Sequence, residues 1–326
     1  MASKKPSPNP LAPRLKQYAN QSITRRGVLS AAAAGTLAAC APAITQRKDA
    51  DVIVIGAGLS GLFSAMWLAE QGYKVIVLEA SNRIGGRLWT LDDVNGRPEA
   101  GGSQVGQTYA RIRYAAEKLG VAINPSPPPP SRDRLIAIGD QRMLQSEWST
   151  ARANPFPDAF RAAPPDRALF AASARQNPFA WAGAWREATP DIDQSADAFL
   201  GTLGFDAPSR KLMNVALNAN ELDTYSMINV WRSLRLFAED AALGPSGAIE
   251  GGSQRLPEAM AASLGDAVKP GFAVHSVEKN DAGVAVSSDQ ETLRSDYCIL
   301  ALPFPAIQNL NLTPELPPLQ ADAVQD

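Results

Sequence analysis

Three glycines at Gly56, Gly58 and Gly61 follow an apolar run and precede a helical pattern in "VIVIGAGLSGL", Val52–Leu62. That spacing suits a pyrophosphate. Gly56 makes a tight turn, Gly58 has no side chain to block the phosphates, and Gly61 lets a helix pack close to a strand. The helix start adds unpaired N–H groups and a positive dipole end. Glu79 comes eighteen residues after Gly61, at the end of a second apolar run, where a carboxylate can take ribose hydroxyls. A second glycine pair, Gly85-Gly86, lies between Arg83 and Arg87 in "EASNRIGGR". It allows another close backbone approach, and two guanidinium groups can neutralise a diphosphate. A simple NAD fold has no need of this second cradle.

The elements that must position these residues read as strand, helix, strand. Asp51–Ile55 is a continuous β-branched run of the kind covered on both faces, Leu59–Gln71 is helical and closed by Gly72, and Lys74–Leu78 is a second buried strand. This βαβ unit opens a doubly wound parallel sheet, an α/β class. Tyr109–Leu119 predicts a helix ended by Gly120, and "NPSPPPPS", Asn124–Ser131, a polyproline II connector. From Arg132 to about Leu243 the chain is rich in Ala, Trp, Phe and Pro and reads as helices broken by loops, a second lobe inserted into the first. Strand signals return at Ala273–Val277, Gly283–Ser287 and Tyr297–Leu302.

Charge is uneven along the 326 residues. The first 48 carry eight Lys or Arg and no Asp or Glu. Thr24-Arg25-Arg26 precedes an uncharged, Ala-rich stretch from Gly27 to Gln46, the pattern of a twin-arginine export signal and too weakly apolar for a membrane anchor. Leu37-Ala38-Ala39-Cys40 resembles a lipobox with Cys40 as a lipid anchor, while Ala41-Pro42-Ala43 offers ordinary cleavage. The expected address is periplasmic or exported, with the twin-arginine machinery as partner. Loss of residues 1–40 removes six of 31 Lys+Arg, leaving 25 against 33 Asp+Glu, a net charge of −8 that gives no reason for nucleic-acid binding.

"DVIVIGAGLSGL…VIVLEASNRIGGR" resembles the flavin-containing amine oxidases. "EAGGSQVGQTYARIRYAAEKLGV", "GAIEGGSQRLPEAMAASL", "AVHSVEKNDAGVAV" and "YCILALPFPAI" extend the likeness over most of residues 51–315, with the middle lobe weakest. The resemblance implies a Rossmann-like FAD-binding domain from residues 51–122 and 247–305. It implies an inserted helical substrate domain, 123–246, after a linker at 41–50, and the start of a substrate-domain return at 306–326. It implies Gly56, Gly58, Ser60 and Gly61 at the pyrophosphate, Glu79 on the adenosine ribose, and Arg87 near the phosphates or ribityl chain. Arg83 and Gly86 belong to the same cradle. Gly102, Ser103 and Gln104 would approach the isoalloxazine, and Val274 would meet adenine through its backbone. Gln104 departs from the aromatic residue often found there. Family members continue past "ALPFP", so the fold is expected to be C-terminally incomplete.

The activity implied is oxidation of an amine or amino acid to an imine, hydride passing to flavin N5, with O2 as acceptor and H2O2 released. The other readings are a non-catalytic FAD-binding fragment and a flavin desaturase of the carotenoid or protoporphyrinogen type. No proton-transfer residue is named, and no metal site. His275, the only histidine, reads as a satisfied strand residue, Cys298 as inert core, and Trp181, Trp185 and Trp231 as helical core rather than an amine pocket. Asp191, Asp193 and Asp197 read as a solvated loop.

Overall fold

Alternate residues of Val52–Ile55 (β1) point to opposite faces, and both faces are covered. Val52 and Val54 enter one core, Ile53 and Ile55 another. The computed structural model describes residues 47–126, 133–217 and 219–325. The proposed export signal, Cys40 and most of the proline run therefore lie outside the described residues. β1 pairs in parallel with Val75–Glu79 (β2) on one side and with Tyr297–Leu300 (β11) on the other. Val268–Pro270 (β7) joins β2, completing a four-stranded parallel sheet of order β11-β1-β2-β7.

Helices cover one face. Leu59–Glu70 (α1) buries Gly61, Leu62, Ala65 and Met66, and Arg255–Leu264 (α7) buries Leu256, Met260 and Ala261 in the same core. The other face takes a second sheet of order β10-β9-β8-β12. In it Val274–Asn280 (β8), Gly283–Ser288 (β9) and Thr292–Ser295 (β10) are antiparallel, and Asn311–Thr313 (β12) runs parallel to β8. Its Val277, Val284, Val286 and Leu293 meet Ile53, Ile55 and Leu78. The architecture is the expected α/β parallel-sheet class. Ala110–Lys118 (α2) follows the first βαβ unit, and Ile123–Pro125 (β3) pairs with Gly247–Ile249 (β6). Phe304–Ile307 (α8) and Pro318–Gln325 (α9) close the chain.

A hairpin opens the middle region where the sequence reads as helices and loops. Leu135–Ile138 (β4) and Gln141–Leu144 (β5) are joined by Gly139-Asp140, with Gly139 at φ +55. A two-residue Gly-Asp link between apolar runs is itself a hairpin signal, which the richness of this region in helix formers obscures. Pro165–Ala174 (α3), Ala196–Thr202 (α4), Ala207–Ala216 (α5) and Met227–Leu243 (α6) follow. Ser195, Asp206 and Ser226 cap the last three by accepting N–H bonds from the third helical residue. Trp148, Phe156, Phe199, Phe205 and Trp231 form the centre of a separate aromatic core.

The tryptophan expectation fails on exposure. Only Trp231 of the three tryptophans is core. Trp181 and Trp185 are 42% and 38% exposed, because the strap over α6 that carries them is irregular through Gly183 and then a single 3-10 turn, Ala184–Glu187, too short to have an inner face. Trp181 lies against Gly183, and the Trp185 ring centroid is 5.4 Å from the Arg186 guanidinium and 6.0 Å from that of Arg232. His275 falls at a register shift of β8 and is exposed, its Nε2 3.8 Å from Asp289. Cys298 is half-buried, and burial pushes its thiol up to about 12. Of the three acids, Asp193 accepts the Ser226 hydroxyl and Asp197 pairs with Arg210 at 2.8 Å. The described residues hold no cluster of three metal-ligating side chains.

Candidate functional site

Between β1 and α1 the chain turns at Gly56-Ala57-Gly58. Gly56 takes φ +105, and a Cβ there would lie 2.6 Å from the Ala301 carbonyl oxygen, so both conformation and space require glycine. At Gly61 the requirement is purely spatial, since a Cβ would sit 1.9 Å from the Gly56 carbonyl oxygen. α1 starts with no side-chain cap and no acidic residue in its first turn. Its first N–H groups and positive dipole end are therefore left for an anion. Ser60 stands exposed in that turn.

The second glycine pair crosses directly over the first. The Gly85 N–H donates to the Ala57 carbonyl at 2.8 Å, and Gly58 and Gly85 form a parallel bridge. Gly86, at φ +57, comes so close that its Cβ would lie 3.3 Å from the Gly58 Cα. Glu79 joins the two stretches: Oε2 accepts the Ala57 N–H at 2.8 Å and Oε1 the Ser81 N–H at 3.0 Å. A carboxylate has about four acceptor positions, so a pinned Glu79 still has two to offer. The chain returns here as well. The Gly271 and Phe272 N–H groups donate to the Ser81 and Glu79 carbonyls, which brings Val274 at the start of β8 beside the end of β2.

The two arginines of the cradle differ. Arg87 is exposed, and its guanidinium has no hydrogen-bond or ion-pair partner among the described residues. Arg83 faces inward. It donates to the carbonyls of Ile84, Gly86 and Leu88 and to Gln254 Oε1, and stacks over Trp89 at 5.0 Å. The diphosphate contact expected of Arg83 is not what this geometry favours: its donors knit the loop that carries Gly85 and Gly86.

A buried polar network anchors that loop to the turn before α7. Glu99 accepts the Thr90 hydroxyl and the Ser253 N–H, Thr90 Oγ1 accepts the Gln254 N–H, and Gln254 Nε2 donates to the Ile84 carbonyl. Sequence reasoning missed Thr90, Glu99 and Gln254. The signal was Gly251-Gly252, both at positive φ, with a Gly252 Cβ falling 2.4 Å from Thr90 Oγ1. Beyond the cradle a cavity of about 220 Å³ opens between Leu59, Leu88, Gly102, Ser103, Gln104 and Ser253. Gly102, Ser103 and Gln104 are exposed there, as a ligand-facing segment would be. Tyr109, Ile112 and Ile249 complete its wall.

The profile of the family described as "Flavin containing amine oxidoreductase" matches residues 59–326. This chain belongs to that family. AofH of Mycobacterium tuberculosis, named as a candidate flavin-containing monoamine oxidase, is 31% identical over 280 residues, covering 82% of this chain. The flavin-containing amine oxidase of Oncorhynchus mykiss is 27% identical over 85% of the chain. The chain spans 60% and 54% of the length of these two relatives. Cyclohexylamine oxidase from Brevibacterium oxydans shares the fold, with a TM-score of 0.65 at 24% identity, covering 85% of this chain and 63% of that one. Putrescine oxidase bound to putrescine matches at TM-score 0.61 and 25% identity.

FAD is the cofactor of this member of the family. The donor set fits it: two glycine backbones that cross at Gly58 and Gly85-Gly86, an uncapped helix start, a carboxylate with acceptor positions to spare and, among the described residues, the unengaged Arg87 guanidinium.

Proposed function

We propose that this chain oxidises an amine or amino acid to the imine, with O2 as the final acceptor and H2O2 as product. Bound FAD supplies the two-electron acceptor for that chemistry. In this reading the start of α1, with Gly56, Gly58, Ser60 and Gly61, holds the diphosphate, and Glu79 holds the ribose. Arg87 and Gly86 face the phosphates, while Arg83 keeps the loop shaped. Val274 meets adenine through its backbone. Gly102, Ser103 and Gln104 line the cavity for the ring, where apolar Leu59, Leu88, Ile112 and Ile249 exclude water. The observation that carries the reading is the crossing of Gly58 under Gly85-Gly86 beside the pinned Glu79. The family and its amine-oxidising relatives support the substrate class. We also propose export by the twin-arginine route, with Cys40 as the candidate lipid anchor, on the sequence pattern alone.

The test uses the purified full chain loaded with FAD and mixed anaerobically with primary amines and L-amino acids. Bleaching of the flavin by at least one of them, followed by stoichiometric peroxide when air is admitted, is the expected result. Flavin that stays oxidised across the panel would reject amine oxidation and leave a cofactor-binding chain. Glu79→Ala removes a charged acceptor worth about 1.5–3 kcal/mol, so the Kd for FAD should rise roughly ten- to a hundredfold.

A further inference from the structure

α2 begins without a cap of its own. Tyr109 occupies the N-cap position with no side-chain cap bond, and the first turn has no acidic residue. The carboxylate is brought by the helical lobe instead. Asp240, in the last turn of α6, accepts both the Thr108 N–H and the Thr108 hydroxyl through Oδ1, each at 2.7 Å. Gly106 is shaped to that carboxylate, for a Cβ there would lie 2.6 Å from Oδ1 and 2.8 Å from Oδ2. A charged acceptor at the positive end of a helix makes stronger bonds than a neutral one would.

The segment held in this way is the wall of the cavity. At its front the Gly102 N–H donates to the Arg87 carbonyl at 3.0 Å. In its middle Val105 and Gly247 exchange N–H···O=C bonds at 2.7 and 2.8 Å, and Arg113 Nε donates to the Gly106 carbonyl at 2.8 Å. All of those anchors lie in the sheet lobe or on α2. Asp240, helped by the Gln107 amide on the Pro245 carbonyl, is the anchor from the helical side. Gly58, Gly86 and Glu79 make no bond to it, and the segment meets the cradle at the Gly102 N–H on the Arg87 backbone carbonyl rather than at a phosphate-facing group.

We propose that Asp240 is a positioning residue for the flavin ring. It holds Gly102–Thr108 in the path that presents Gly102, Ser103 and Gln104 to the cavity, so α6 of the helical lobe sets the ring environment of the FAD lobe. The inference rests on the FAD reading above.

The test compares wild type, Asp240→Ala, Asp240→Asn and Gly106→Ala as full-length proteins, titrated with ADP and with FAD. ADP reports the cradle alone, whereas FAD also reports the ring through its visible circular dichroism and the quenching of its fluorescence. Asp240→Ala should leave the Kd for ADP within about twofold. It should weaken FAD about tenfold, the equivalent of one hydrogen bond to a charged group at the low end of its range, and restore ring fluorescence. Asp240→Asn keeps an Oδ1 acceptor for Thr108 and should recover most of the wild-type ring signature. Gly106→Ala pushes the carboxylate aside without removing it, so it should reproduce the loss should Asp240→Ala fail to fold. Wild-type ring spectra in Asp240→Ala or Gly106→Ala would overturn the proposal, as would equal losses of ADP and FAD affinity. A wild type that binds neither ADP nor FAD would fail at the cradle itself, a result distinct from any effect of Asp240.

Discussion

In the sheet lobe the closest fits are between backbones, and in the helical lobe they are between rings. Gly61 lies on the Gly56 carbonyl and Gly86 on the Gly58 Cα, with no side chain intervening. Trp148, Phe156 and Phe205 stack edge to face with centroids 5.5 Å apart, and Phe179 and Phe199 turn their edges to Trp231. The first lobe thus has surfaces from which side chains have been removed so that a ligand can approach. The second has filled its interior, and what it offers the site is reach: Asp240 arrives from α6. The lesson is that binding geometry and stability are handled by different chemistry in one chain. Changes that add atoms should harm the first lobe, and changes that remove atoms the second.

The largest effect should come from emptying the ring core. Trp148 is 1% exposed and its Nε1 donates to the Ala163 carbonyl at 2.8 Å. Trp148→Ala should lower unfolding free energy by about 3–5 kcal/mol, read by urea denaturation, with ADP affinity retained at temperatures below the melt. A cost under about 1 kcal/mol would show that the rings do not hold the helical lobe. Adding one methyl to the other lobe should cost less stability and more binding. Gly61→Ala must part the helix from its turn, a strain of about 1–3 kcal/mol, and FAD should no longer be retained through gel filtration. Full retention would break the contrast.

The smallest effect is electrostatic and confined to the helical lobe. The Ser209 hydroxyl, then its backbone N–H, hold the Asp206 carboxyl below the usual carboxylate range, and Ser146 does the same for Asp133. A depressed folded value means stabilisation that is present above the ordinary carboxylate pKa and is lost as pH falls through the folded one. The melting temperature of wild type should therefore exceed that of Asp206→Ala at pH 7, and the gap should close on acidification below the usual carboxylate range. A gap that is constant with pH would show that the cap acts without its charge.

Much of the cradle was legible because it is local. β1, the glycine turn, α1 and β2 form one contiguous stretch, and most requirements there are set within it: Gly61 by the Gly56 carbonyl, Glu79 by Ala57 and Ser81, with Ala301 adding the distant constraint on Gly56. Arg83 was legible as a residue of the cradle but not in its direction. Its partner Gln254 lies 171 positions along, and nothing near Arg83 in the chain says that a side-chain amide will be there. The hairpin β4–β5 was hidden by the helix-rich composition around it, and β7 by its length, since three residues carry no measurable alternation. The exposure of Trp181 and Trp185 was beyond pattern reading, for the strap that carries them has no period from which an inner face could be inferred.

The amino-acid order by itself determined where backbone can approach backbone and where a carboxylate ends a buried strand, because conformational freedom at glycine and alternation along a strand act over a few residues. It also determined the family, through motifs spread along the chain. Only tertiary structure decided which of two similar arginines faces solvent, which loop the Glu99–Thr90–Gln254 network pins, and that Asp240 stands under the start of α2. Those outcomes are settled by hydrogen bonds between residues far apart in the chain, which exist only after two lobes and two sheets have packed.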